Sequence, residues 1–388
     1  MSKINDLIKE LCPNGVSKYI IQDICHVTRG RVISKMELQE NEGDYPVYSS
    51  QTLNNGVFGK INTYDFEGEY VQWTTDGANA GSIFYRNGKF SVTNVCGLLK
   101  VKAEYLDKIR TDYLAYALTM ESKKYVNYAT SNPKLMSNVM EKITVLIPPL
   151  EVQEEIVRIL DKFGELEAEL EAELEARKSQ YEFWRGKLMN VTAQTYKLNE
   201  IANIYDGTHS TPNYQLSGIP FISVENIGDI YNSNKFISKE DYDKYKIKPM
   251  INDVFMTRIG SIGKCAVFEQ QKDLAYYVSL ALIRPNIEII SSRYLKYYLE
   301  SSVGQDELYK KTLTHAVPIK INKDDIGKIN IIVPSMKEQN RIVNILDKFD
   351  ALVNDITEGI PAEIELRIQQ YEYYRNKLLS FEELNVSE

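Results

Sequence analysis

One stretch of sixteen residues constrains this chain more than any other, because it occurs twice. PPLEVQEEIVRILDKF at 148–163 returns as PSMKEQNRIVNILDKF at 334–349, with nine of the sixteen positions identical at an offset of 186. YEFWRGKLM at 181–189 returns as YEYYRNKLL at 371–379, five of nine identical at an offset of 190, so the second copy carries four extra residues between the two motifs. Weaker matches precede these in the same order: IQDICHVTRG at 21–30 with LNEIANIYDG at 198–207, and KITVLIP at 142–148 with KINIIVP at 328–334. The chain of 388 residues is one unit written twice, and its architecture follows from that unit.

Each unit has two parts. Residues 1–148 and 193–333 are rich in Gly, Asn, Ser, Thr and Tyr, with β-type runs at 70–75, 142–147, 253–258 and 328–333 between turn signals, and a helix in each copy near 113–124 and 292–301. They read as mixed α/β domains. Residues 149–192 instead place Ile156, Leu160, Phe163, Leu166, Leu170, Leu174, Tyr181, Trp184 and Leu188 at spacings mostly of three and four, which predicts one amphipathic helix of about 40 residues. Residues 334–388 repeat it with Ile342, Leu346, Phe349, Val353, Ile356, Ile360, Ile364, Ile368, Tyr371, Tyr374 and Leu378. Gly359 and Pro361 fit the end of one helix and the first turn of another, so a kink or short break is expected there. The extra four residues add about one helical turn and rotate the apolar stripe by only about 40°.

The net charge of −8 argues against a nucleic-acid binder only while the chain is taken whole. Segments 1–148 and 193–333 each carry +1, whereas 149–192 and 334–388 each carry −5. All the acidity sits on the helical segments, which phosphate would repel, and the near-neutral domains are free to present a basic face.

A search for chemistry returns little. The four cysteines have no C-x-x-C spacing and there are three histidines, so a metal site, a disulfide framework or a His-based triad is not expected. Asn132-Pro133-Lys134 lacks the second proline and aromatic of a methyltransferase loop, and Glu121-Ser122-Lys123 has the spacing of a nuclease site without its strand partner. No Gly-Lys pair is followed by the Ser or Thr of a phosphate-binding loop. With no run of about 18 apolar residues and no basic-apolar leader pattern in MSKINDLIKELCPNG, no membrane association is expected and the cytoplasm is the expected location.

Recognition remains. Thr257-Arg258-Ile259-Gly260-Ser261-Ile262-Gly263-Lys264 follows a strand-like run and brings glycines, cations and hydroxyls together, and Trp73-Thr74-Thr75-Asp76-Gly77-Ala78-Asn79-Ala80-Gly81 stands at the corresponding place in the first copy. One scaffold carrying different side chains is what two target words require. The candidate DNA contacts are Tyr48, Ser49, Gln51, Thr75, Asn79 and Lys134 in the first copy, and His209, Thr211, Asn213, Tyr214, Arg258, Ser261, Lys264 and His315 in the second. The residues alone leave two other readings open: a stand-alone nuclease or methyltransferase, and a coiled-coil scaffold joining two protein-binding domains.

The repeated helical motifs, the run ELEAELEAELEA at 165–176, and the phrases GIPFISVENI and TRIGSIGK resemble the specificity subunits of type I restriction-modification systems over essentially the whole chain. The resemblance implies an α+β fold in which two α/β target-recognition domains, 1–148 and 193–333, are separated by two long antiparallel helices, 149–192 and 334–388, forming a coiled-coil spacer with pseudo-two-fold symmetry. It implies that the chain binds double-stranded DNA at a bipartite site and performs no catalysis. The partners would be two modification subunits and the restriction-translocation subunits, with S-adenosylmethionine, ATP and Mg belonging to those partners and no cofactor to this chain. The ELEA run resembles the family's repeated tetrapeptide, with Glu where Thr is common in relatives.

Overall fold

The computed structural model describes residues 2–129, 131–355 and 357–384. Two compact units divide the chain, Met1–Glu169 with Glu365–Glu388, and Leu170–Ile364. Ile356 of the expected apolar stripe lies outside the described residues.

In the first unit the central sheet holds β1 (Cys25–Arg29), β2 (Tyr70–Thr74), β3 (Ile83–Arg86) and β4 (Cys96–Val101) in the antiparallel order β1-β4-β2-β3. Side chains alternate across a strand, and both faces are used. Val71, Trp73, Leu99 and Val101 pack on the helix side, in the cluster that contains Tyr113, Leu114 and Leu118 of α1 (Thr111–Glu121). Tyr70, Cys96 and Leu98 face a second sheet through Phe90 and Val92. That second sheet pairs Tyr45–Tyr48 antiparallel with Val57–Ile61 and parallel with Lys89–Val92. A ribbon of Ser17–Ile20 with Thr144–Ile147 leads to α2 (Leu150–Met189), a single helix of 40 residues.

The second unit repeats this topology. Its strands β5 (Ala202–Asp206), β6 (Val254–Thr257), β7 (Cys265–Val267) and β8 (Leu280–Pro285) lie in the order β5-β8-β6-β7. Val254, Met256, Ala281 and Ile283 face α3 (Ser292–Glu300), while Phe255, Leu280 and Leu282 face the other side. Then come the ribbon Gln194–Lys197 with Asn330–Val333, α4 (Met336–Asn354) and α5 (Ile360–Leu378).

The second helical segment is therefore two helices, not the one continuous counterpart of α2. Asp355 is extended and caps the end of α4, its carboxylate accepting the backbone N–H groups of Thr357 and Glu358. A side chain at Gly359 would stand 2.5 Å from the Ala351 carbonyl, and Pro361 has no N–H to continue an earlier ladder.

The identical motif residues have a structural reason. Gln153 is fully buried, donates to the carbonyls of Lys108 and Pro148, and accepts the Arg110 N–H. Gln339 does the same with Ile289, Pro334 and Ser291. Tyr116 donates to Asp161 and Tyr297 to Asp347, each at 2.7 Å, which locks each ILDKF motif onto the helix of its own domain. Farther along, Phe163 lies 6.3 Å from Tyr371 and stacks on Tyr374 at 5.5 Å, while Tyr181 stacks on Phe349 at 6.2 Å. The same Phe–Tyr contact is made once in each unit with the two copies exchanged. In the first unit α2 and α5 run antiparallel: Glu383, just past α5, bridges to Val16 beside the ribbon from which α2 departs.

Candidate nucleic-acid interface

The loop after the central strand is held by the same three backbone bonds in both units, although it is one residue longer in the first, where Gly77 and Gly81 stand in place of Gly260 and Gly263. In the first, the Leu135 N–H donates to the Thr75 carbonyl, Gly77 to Pro133 and Gly81 to Thr74. In the second, Ile321 donates to Arg258, Gly260 to Ile319 and Gly263 to Thr257. Thr75 thus corresponds to Arg258, Asp76 to Ile259 and Lys134 to Lys320, and the bridges Asp76–Lys134 and Ile259–Lys320 confirm the register. Gly77, Gly81, Gly260 and Gly263 all have positive φ, so these turns need glycine.

A charge pair sits under each loop. Arg29 ends β1, lies 3.7 Å from Asp76, and donates to the Thr75 hydroxyl (2.8 Å) and the Asn94 carbonyl (2.7 Å). Asp206 ends β5 and is ion-paired with Arg258, whose Nε donates to the Ile321 carbonyl at 3.2 Å. Glycine must follow in both copies: a Cβ at Gly30 would fall 2.1 Å from the Val92 carbonyl oxygen, and at Gly207 2.5 Å from Tyr277.

In the first domain the structure places four of the candidates, Tyr48, Ser49, Gln51 and Asn79, around the 49–56 loop, and the other two, Thr75 and Lys134, beside Asp76. The Asn79 amide donates to the Ser50 carbonyl at 3.0 Å, tying the loop after β2 to the 49–56 loop. The Gln51 amide donates to Val57, the Ser49 carbonyl accepts from Gln72 at 3.4 Å, and Tyr48 lies under the Arg86 guanidinium at 3.7 Å. Thr75 is buried, and its hydroxyl is shared between Arg29 and Asp76. Lys134 is exposed, 3.7 Å from Asp76.

In the second domain Ser261 and Lys264 are exposed on the 258–264 loop, and His315 on the loop paired with it. His209, Thr211, Asn213 and Tyr214 are exposed on the segment after β5, with Tyr214 edge-on to Phe221 at 5.7 Å and His209 3.9 Å from Asp206. Arg258 is only 7 % exposed and is spent on Asp206 and Ile321, so it stands at the base of the loop and not on its surface.

Arg29, Asp76, Asp206, Arg86, Asn55 and Lys320 were not among the candidates. The signal for two of them was available, since Arg29-Gly30 and Asp206-Gly207 align within the repeat. Arg86 and Asn55 carried none.

The four cysteines are free and buried, and burial pushes the Cys96 thiol up to about 11 and Cys25 to about 12, far from a reactive thiolate. Among the described residues no three His, Cys, Asp or Glu side chains are grouped to hold a metal ion, and no helix is long and apolar enough to cross a membrane.

Two mixed domains with one loop scaffold, differently furnished and joined to acidic helices, define a duplicated recognition protein. The chain belongs to the type I restriction-modification DNA specificity family, whose domain matches twice, at 13–176 and 190–366. As a member it is a DNA-recognition subunit and not the catalytic one. It is 34 % identical over 378 residues to a Mycoplasma pneumoniae protein named as a type I specificity subunit, covering 94 % of this chain and 98 % of that one. A second M. pneumoniae relative, named as the N-terminus of such a subunit, is 51 % identical over 183 residues, 45 % of this chain and 96 % of its own length. The fold is that of the S subunit of a type I system from M. genitalium, at a TM-score of 0.55 and 14 % identity over 94 % of this chain and 96 % of that one. A chain solved in work on complex assembly and conformational transition of the type I system gives a TM-score of 0.66 at 14 % identity, over 95 % of this chain and 98 % of that one.

Proposed function

We propose that the segments 1–148 and 193–333 each read one half of a bipartite DNA site, and that 149–192 and 334–388 set the unread spacer and dock two modification subunits, to which restriction-translocation subunits are added. S-adenosylmethionine, ATP and Mg belong to those partners in this reading. The observation that carries it is the loop scaffold whose anchoring backbone bonds recur in both units while its side chains and length differ, as two different half-sites demand. The candidate contacts are the exposed Lys134, Ser261, Lys264, His209, Thr211, Asn213, Tyr214 and His315, with Tyr48, Ser49, Gln51, Asn79, Thr75 and Arg258 shaping the loops that present them.

The docking surface has its own repeat. Phe183 is 63 % exposed and Tyr373 60 %, at the same motif position, and each has a lysine of the next turn, Lys187 or Lys377, 5.9 Å from its ring. A large exposed aromatic on an acidic helix suits a buried anchor in a partner subunit.

Co-expression with the modification subunit, followed by mapping of N6-methyladenine in the host genome, tests the reading. A bipartite motif supports it. Methylation or cleavage by the purified chain alone, or methylation without a defined motif, overturns it.

A further inference from the structure

Arg86 is a buried cation with no anion beside it among the described residues. It is 2 % exposed, and its guanidinium donates to Gln72 Oε1 (2.7 Å), to Asn55 Oδ1 (3.1 Å) and to the Asn55 carbonyl (2.9 Å). It lies over the Tyr48 ring at 3.7 Å and 4.5 Å from the Phe84 ring. These acceptors are all neutral, and burying a charge among neutral groups is unfavourable. Burial lowers its pKa to about 10.

The fold does not require this charge. Trp73 faces Ile83 and Gly97 just as Met256 faces Cys265 and Ala281, so Gln72 corresponds to Phe255 and Arg86 to Phe268. In the second domain those two positions hold a buried edge-to-face aromatic pair, 6.2 Å between centroids. The same scaffold closes with hydrocarbon there.

What Arg86 supports is a loop. Asn54 and Asn55 both have φ of 50° and Gly56 follows at 77°, three successive residues in the left-handed region. Left-handed non-glycine residues persist only where neighbours hold them, and they concentrate at functional sites. Both hydrogen bonds to Asn55 come from Arg86, and a side chain at Gly56 would stand 3.0 Å from its Nη2. Thr52, Leu53, Asn54 and Asn55 are exposed beyond that anchor, Leu53 at 83 %. An apolar tip beside an asparagine amide matches a thymine methyl and an adenine edge.

We propose that Arg86 is the positioning residue that presents the 52–55 loop to DNA, making this loop a specificity-determining element of the first domain by a device the second domain does not share. The inference rests on the DNA-reading function proposed above.

The full chain, co-expressed with its modification subunit, tests it through modified sites recovered from a random-sequence library. The double substitution Gln72→Phe with Arg86→Phe imports the second domain's own pair; Arg86→Lys keeps the charge and loses the fork; Asn54→Gly removes an exposed amide at a position glycine tolerates. Each is expected to reduce discrimination tenfold or more at one or two positions of one half-site, leaving the other half-site and the spacer unchanged. Unchanged letters in both half-sites with Arg86→Lys and Asn54→Gly overturn the proposal, whether or not the double variant folds. A wild-type complex without sequence preference would instead remove the recognition reading itself.

Discussion

Arg29 and Asp206 occupy the same place in the duplicated sheet, opposite Gly97 and Ala281 respectively, and carry opposite charges. Each meets its counter-charge on the loop after the central strand, Asp76 in one unit and Arg258 in the other. The position conserves a pair, not a sign. The counter-charge is offset by one position between the copies, because Asp76 corresponds to Ile259 and Arg258 to Thr75, so the duplication kept an ion pair at this strand end but not the site of its partner.

The two pairs should differ in worth. Arg258 is nearly buried, so Asp206→Asn strands a cation and should lower stability by about 2–4 kcal/mol. Arg29 and Lys134 are partly exposed, and Asp76→Asn should cost no more than about 1 kcal/mol. Urea denaturation of both variants checks the ordering; equal losses would contradict it. Arg258→Ala should likewise act through stability, without the single-letter change expected of a base contact.

Deleting one ELEA unit from α2 should shorten the recognised spacer and leave both half-sites intact. Four residues rise about 6 Å, close to two base pairs at about 3.4 Å each. Methylome sequencing decides: altered half-site letters at an unchanged spacer would refute the proposal that the helices set the spacer.

Phe183→Ala and Tyr373→Ala should each weaken association with the modification subunit by about 1–3 kcal/mol, yet move the melting temperature of the free chain little, because both rings are exposed. Titration calorimetry with the purified partner measures the first effect and thermal denaturation the second.

Acid should loosen the N-terminal helix Ser2–Leu11, which Lys3 ties to Glu155 of α2. Glu155 is hydrogen-bonded to Arg158 at 2.7 Å and to Lys3 at 3.0 Å, and these bonds, with Arg158 foremost, hold its carboxyl down to about 2. A depressed carboxylate contributes stability that is whole above its unfolded value near 4.5 and is lost as pH falls towards 2. Both cations are largely exposed, so Glu155→Gln should cost only about 1 kcal/mol at pH 7, progressively less below pH 4.5, and nothing only once the pH is below about 2. Denaturation midpoints across that range provide the check.

The amino-acid sequence alone determined the duplication, the 40-residue helix and the break near Gly359, because these depend on period and on backbone restrictions that residue type carries with it. It also located the loop after each central strand. Only the tertiary structure decided which polar side chains that loop presents. Arg258 looked like a reader of DNA and turned inward to Asp206, 52 positions away; Arg86 looked like nothing and holds Asn55, 31 positions away. A side chain's chemistry is written in its own letter, but whether its hydrogen bonds are satisfied within the fold or offered to a ligand depends on neighbours that only long-range packing supplies.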